Sequence, residues 1–295
     1  MSTTKAEGWW IDGKRLDRWA TDVTDGTNNG VVLSDRTGWD DTPPLRGENV
    51  TLLGRHGEVW RRKRYGPGRK TLTMSVLGAN EAEADPATAR LQRAAYEQNL
   101  DALMRMFGQA HRVLSVERVH ANGDRRQADC EVISPLAPVP VGHGAGRVQV
   151  ELSVPGAFWE DVDAVTYAMP YTVGGAASQD VEVFSLAGQT APCDDAIITI
   201  TGPCAAVAIH DTVTGSGFTY GSALTDVETL IVDAGAFTAL VGATSVITDL
   251  VLADQQILEI ISAPESYRGP ELTINATTAT AGFSVTIEAR RKWLR

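Results

Sequence analysis

Lys70-Thr71-Leu72-Thr73-Met74-Ser75-Val76-Leu77 is the stretch that decides how this chain is read. Leu72, Met74 and Val76 fall on one side and Thr71, Thr73 and Ser75 on the other, the period of a strand with one buried face. Just before it, Tyr65-Gly66-Pro67-Gly68 is a turn sequence, so 58–77 reads as a hairpin. Further towards the start, Trp9 to Ile11, Val31 to Ser34 and Asn49 to Leu53 read as short strands between Gly, Asn, Asp and Pro turns.

One segment has a different period. Asp85 suits the cap of a helix over 85–108, and Pro86 suits its first position, because proline lacks a donor that would be unpaired there anyway. Tyr96, Leu100, Leu103, Met104 and Phe107 recur at helical spacing, and Gly108 is a stop. Strands resume over Arg112 to Val119, Gln127 to Pro135 and Gly146 to Val154, the first two joined by a hairpin turn at Asn122-Gly123. From Thr172 onward every signal is β: Val181 to Leu186, Ala196 to Thr201, Ala205 to His210, Thr229 to Val232, Asp249 to Leu252, Ile257 to Ile261, Leu272 to Ala276 and Phe283 to Ala289. Short strands at this spacing predict a sandwich or jelly roll.

The 295 residues suffice for two domains, and charge divides them. Net charge is −11, yet no Lys or Arg occurs between Arg147 and Arg268, while the first half holds the run Arg61-Arg62-Lys63-Arg64. An acidic chain of this kind is not expected to take nucleic acid as its main partner. The polar start and the lack of an apolar run near the roughly 20 residues of a membrane span predict a protein folded in a cytoplasm, with no membrane partner. Cys130, Cys193 and Cys204 have no metal-site spacing, and a reducing compartment disfavours a Cys193–Cys204 bridge across the Gly202-Pro203 turn.

Catalytic signatures are missing. None of His56, His111, His120, His143 and His210 sits in a zinc-protease pattern, and no nucleophile elbow, phosphate loop or dinucleotide fingerprint is present. Asp40-Asp41 and Asp194-Asp195 are neighbours along the chain, which strand geometry points apart, and Asp226, Glu228 and Asp233 read as a solvated acidic surface. His210-Asp211 reads as a surface pair. The expectation is a protein that is not an enzyme, with no catalytic residue, cofactor or metal.

Two features suggest binding. Trp60, Arg61, Arg62, Arg64 and Tyr65 form a basic, aromatic-flanked stretch that suits contact with an acidic neighbouring subunit, or equally a charged edge strand kept from aggregating. Trp9, Trp10, Trp39, Trp159, Tyr171 and Tyr220 would stack on sugar rings or fill the core, and core is the expectation for each taken singly.

In order and spacing, several of these segments resemble the distal tail proteins of long-tailed siphophages, particularly the minor tail proteins of those infecting actinobacteria. They are Trp10-Ile11-Asp12-Gly13, Gly54 to Trp60 with the basic run after it, the single helix, Pro155 to Asp161, Leu230 to Asp233, and Ser284 to Leu294. Over Val173 to Thr225 only β patterning is shared. The resemblance implies a mainly β chain of two β-sandwich domains: a ring-forming one over 1–163 carrying the helix, and a galectin-like one over 164–295. It implies a homohexameric ring in the virion tail, made in the host cytoplasm, that joins the tail tube to the tip and its receptor-binding proteins. A module attaching to host cell-wall glycan, or a tube subunit, are the alternatives; a wall-degrading hydrolase would need two inward carboxylates that the sequence does not supply.

Overall fold

A computed structural model describes residues 7–16, 30–51, 58–59, 63–78, 86–108, 112–142, 144–174, 177–254, 256–263 and 268–295. The chain divides into two compact units, Met1–Trp159 with Leu294–Arg295, and Glu160–Trp293.

The first unit contains β1 (Gly8–Ile11), β2 (Lys14–Arg15), β3 (Val31–Thr37), β4 (Leu45–Arg46), β5 (Val50–Thr51), β6 (Glu58–Val59), β7 (Arg64–Tyr65) and β8 (Gly68–Leu77). These are followed by α1 (Pro86–Phe107), β9 (Val113–Val119), β10 (Arg125–Val132), β11 (Ala137–Gly142) and β12 (Ala145–Val154). Its main sheet runs β2-β1-β9-β10-β12-β8-β3, all antiparallel, with β11 also paired to β12. β8 alternates as expected: Leu72, Met74 and Val76 are buried and Thr71, Thr73 and Ser75 partly exposed. Each of those three apolar side chains contributes about 1.5–3 kcal/mol by leaving water.

α1 covers that buried face. Gly146 lies opposite Val76 there, and a Cβ at Gly146 would sit 2.4 Å from the Tyr96 hydroxyl, so a larger residue would displace the Tyr96 ring from the sheet. Asn99 donates to the Leu77 carbonyl at 2.8 Å and satisfies a group at the strand's end. Leu103 and Phe107 are buried, but Met104 is 40% exposed, so the apolar stripe is narrower than its spacing predicts. α1 is the only α-helix among the described residues.

The hairpin expected over 58–77 does not form. β8 already has β12 on one edge and β3 on the other, so it has no free ladder for the preceding segment. Instead β4 pairs with β7 and β5 with β6, both antiparallel, giving a separate ribbon between Leu45 and Tyr65. The Asn122-Gly123 turn does join β9 to β10, with Gly123 at φ 88°, where glycine alone is unstrained. β11 is exposed along its length, and its outer edge carries no strand among the described residues. Pro138 and Pro140 share one parity and cannot donate to β12. Their nitrogens therefore face outward, where they remove the donors another strand would need.

The chain crosses between units within β13 (Trp159–Asp161). The second unit is a sandwich of two antiparallel sheets around one core. One sheet orders β14 (Val165–Met169), β24 (Ser284–Ala289), β16 (Ile197–Thr201), β19 (Thr229–Asp233), β20 (Thr238–Val241) and β21 (Thr244–Ser245). The other orders β15 (Ser178–Glu182), β23 (Glu271–Thr277), β17 (Ala206–Asp211), β18 (Gly217–Tyr220) and β22 (Leu250–Leu252). Ile198, Ile200, Leu230 and Ile287 from the first meet Val207, Ile209, Phe218 and Ile274 from the second. β25 (Lys292–Trp293) ends this unit.

Ile257 to Ile261 is a second correction. Ile257, Leu258 and Ile260 are buried, but the segment makes one bridge to Cys193 rather than a strand. Its polar backbone is met by side chains: the Ser216 hydroxyl donates to the Glu259 carbonyl at 2.9 Å, and Asp211 accepts from the Ile261 N–H.

Candidate subunit interface

Of the predicted interface residues, Trp60, Arg61 and Arg62 lie outside the described residues, while Arg64 and Tyr65 form β7. Register sets Tyr65 across from Leu45 and Arg64 across from Arg46. The Tyr65 ring packs edge-on against Phe158, with centroids 5.1 Å apart, which ties the ribbon's base to the first unit. Lys63, Arg64 and Arg46 are exposed, and Leu45 is 61% exposed beside them. Like charges directly opposite repel, so this ribbon is stabilised by any anion that lies on it. Leu45 and Arg46 escaped the sequence reading because a two-residue strand has no period to detect.

The carboxylate pairs have structural partners. Asp40 accepts from Arg118 at 2.9 Å, and that hydrogen bond holds its carboxyl below the usual aspartate value. Asp194 and Asp195 both reach the buried Lys292 ammonium, at 3.0 and 2.9 Å. Burial works against the Lys292 charge, but Asp195 and Asp194 outweigh it and raise its pKa. Glu228 accepts from the Thr225 N–H at 2.8 Å and Asp233 from the Ala236 N–H at 2.8 Å, closing turns. Asp211 points into the core, accepting from Val213, Thr214 and Ile261, while its neighbour His210 points to the other face of β17. Burial raises the Asp211 pKa and lowers that of His210.

Lys70 is a residue the pattern did not single out. It stands in line with Leu72 on the buried face, and its ammonium donates to the Gly38 and Asp41 carbonyls, the latter at 3.1 Å. Burial depresses its pKa.

The aromatics considered for sugar stacking are mostly interior. Trp9, Trp39 and Trp159 form one buried cluster with centroids 5.0 to 5.8 Å apart, and Tyr220 is buried in the second unit. Arg36 and Arg118 lie over Trp9. Cys130, Cys193 and Cys204 are free and buried. Among the described residues, no group of three or more His, Cys, Asp or Glu could hold a metal, and no helix is long and apolar enough to cross a membrane.

Two stretches distant in sequence meet at the end of the second unit. Asp161 accepts from Arg291 at 2.5 Å through one oxygen and from the Trp293 indole at 2.8 Å through the other, and Glu160 faces Arg290 at 3.6 Å. Charge is divided sharply between the units: the first has 22 basic and 20 acidic residues, the second 4 and 17.

The first unit, one antiparallel sheet with a helix on it, and the second, a two-sheet sandwich, together have a counterpart among solved structures. The structure is similar to that of the SPP1 Dit (gp 19.1) protein, described as a paradigm of the hub adsorption apparatus in phages infecting Gram-positive bacteria. The TM-score is 0.60 at 12% identity, covering 98% of this chain and 99% of that one. A chain of the phage p2 baseplate, in its activated conformation with strontium, aligns over 97% of this chain and 98% of its own at TM-score 0.36 and 9% identity. No protein-family model matches the sequence, and no curated protein does.

Proposed function

We propose that the chain is a non-catalytic structural protein of a phage tail, one that closes into a ring between the tail tube and the tip with its receptor-binding proteins. The observation that carries this reading is the likeness of fold to the SPP1 hub protein along 98% of the chain. In this reading 1–163 forms the ring, as six copies, and 164–295 projects as a platform for tip proteins. Trp60, Arg61, Arg62, Arg64 and Tyr65 lie where one copy meets the next, and the exposed cations of the ribbon supply the attraction. The surface they need is acidic, and the second unit, with 4 basic against 17 acidic residues, offers one. Unlike surfaces of this kind suit a head-to-tail ring, in which each interface joins two different patches. The assembled protein belongs to the virion tail and is synthesised in the host cytoplasm.

Light scattering on a sizing column tests the reading. Six chains of 31.6 kDa give a discrete species of roughly 190 kDa, and electron micrographs of that fraction should show closed rings. Long stacks would assign the chain to the tube instead. A chain that stays monomeric at every concentration, and with purified tail tube added, would refute the proposal.

A further inference from the structure

We infer that a pocket on the first unit, lined by Lys14, Arg105 and Arg112, receives the turn Asp226-Val227-Glu228 from the second unit of another copy; this rests on the ring reading above. The pocket has a volume of about 440 Å³ and is also lined by Asp12, Ala102 and Met106. Its cations are not balanced from within. Asp12 is spent on Arg112, and its other oxygen accepts from the Ser115 N–H at 3.1 Å, which holds it in the left-handed region at φ 47°. Among the described residues Lys14 has no ion-pair partner, and the Arg105 guanidinium donates to the Asp101 backbone carbonyl, at 3.2 Å, with no carboxylate beside it. Two positive charges in a concave site focus the field on whatever enters it. Ala102 and Met106, one helical turn apart, add an apolar wall. The ligand that fits is a short peptide with carboxylates and one apolar side chain.

The second unit presents such a peptide. Val227, between β18 and β19, is 84% exposed, the most exposed large apolar side chain among the described residues, and it is flanked by Asp226 and Glu228. The turn is preformed: the Glu228 N–H donates to the Thr225 carbonyl at 3.2 Å, and the Thr225 N–H donates to the Glu228 carboxylate at 2.8 Å. Little order is left to gain when it docks, which lowers the entropy lost. The pocket offers Val227 an apolar wall and the two acids counter-charges. A second copy supplies the turn because a ring must join different surfaces of successive subunits.

The test is the assembly mass, against concentration, of the full-length chain and three variants: K14E/R105E, D226K/E228Q, and the two combined. Glu228→Gln keeps an oxygen for the Thr225 N–H. Each parent variant should raise the concentration for half-assembly at least about tenfold, and the combined variant should assemble better than either, because attraction is restored with reversed sign. Circular dichroism checks folding, and K14Q/R105Q replaces the reversal if that chain is unfolded. If the wild type assembles and K14E/R105E assembles equally well, the docking is wrong and the ring stands. The docking is also wrong if the combined variant is no better than the weaker parent. A wild-type chain that never assembles overturns both.

Discussion

Replacing Trp39 tests whether the buried tryptophan cluster holds the first unit together. Trp39 is fully buried, its ring lies 5.0 Å from Trp9 and 5.4 Å from Trp159, and its indole N–H donates to the Thr71 carbonyl on β8 at 3.1 Å. Trp39→Phe removes that hydrogen bond, worth about 1 kcal/mol, and weakens two aromatic contacts worth about 0.5–1.5 kcal/mol each. The expected loss is about 2 kcal/mol, rising to about 3–5 kcal/mol for Trp39→Ala, which leaves a cavity. With a urea slope of about 2 kcal/mol per molar, Trp39→Phe should move the midpoint down by about 1 M. Tryptophan fluorescence is the right probe, because six of the seven tryptophans belong to the first unit and only Trp293 to the second. A midpoint shift under about 0.3 M for both variants would refute the assignment of the cluster as the unit's keystone.

Gly78→Ala should destabilise the helix against its sheet, since a Cβ there would lie 1.7 Å from the Gln92 carbonyl oxygen; loss of helical signal at 222 nm on gentle heating, earlier than in the wild type, checks it. Cys130, Cys193 and Cys204 should react with a thiol reagent slowly in the native chain and fast in denaturant, because burial pushes the Cys130 thiol up to about 12 and raises the other two; three equally fast native thiols would contradict the packing. Asp211 has a folded pKa raised by burial, so between its unfolded and folded values the native state binds more protons and its contribution falls as pH rises. The stability deficit of Asp211→Asn should therefore shrink from about pH 4 to about pH 7, and urea titrations showing it widen would overturn this. Pro138→Thr/Pro140→Thr should restore outward donors to β11 and make the chain self-associate in a concentration-dependent way, measured by turbidity.

Much of the fold could be read from local pattern, and the failures share a cause. β8, β23 and β24 announce themselves because one face is buried and the other wet, so alternation follows from position. The helix is legible from its proline and its period, yet Met104 turns outward because α1 rests on the sheet along a stripe narrower than the apolar spacing. β11, β14, β18 and β20 have no counterpart in the sequence reading: β11 holds two prolines, β14 begins just past the domain boundary, and β18 and β20 are short segments hemmed by glycine. The false hairpin over 58–77 shows the complementary error. Tyr65-Gly66-Pro67-Gly68 is a turn, but which strand β7 joins depends on the edges already occupied, and β3 and β12 occupy both edges of β8 from far away in sequence.

The candidate interface divides along the same line. Charge is a local property, so the basic run and the acid-only stretch are visible in the sequence, and the two units carry that asymmetry into the folded chain. Pairing is not local. Asp40 meets Arg118 across 78 residues, Asp161 meets Arg291 across 130, and Lys292 meets Asp194 across 98. Once those pairs are removed, the carboxylates that looked like chemistry are accounted for as supports. Among the described residues, Lys14 and Arg105 line a pocket of the first unit without an ion-pair partner, and Val227 stands exposed beside Asp226 on the second. Opposite charges on the two units would gain most by meeting across a contact between neighbouring copies, where complementary potentials steer association and fix its register.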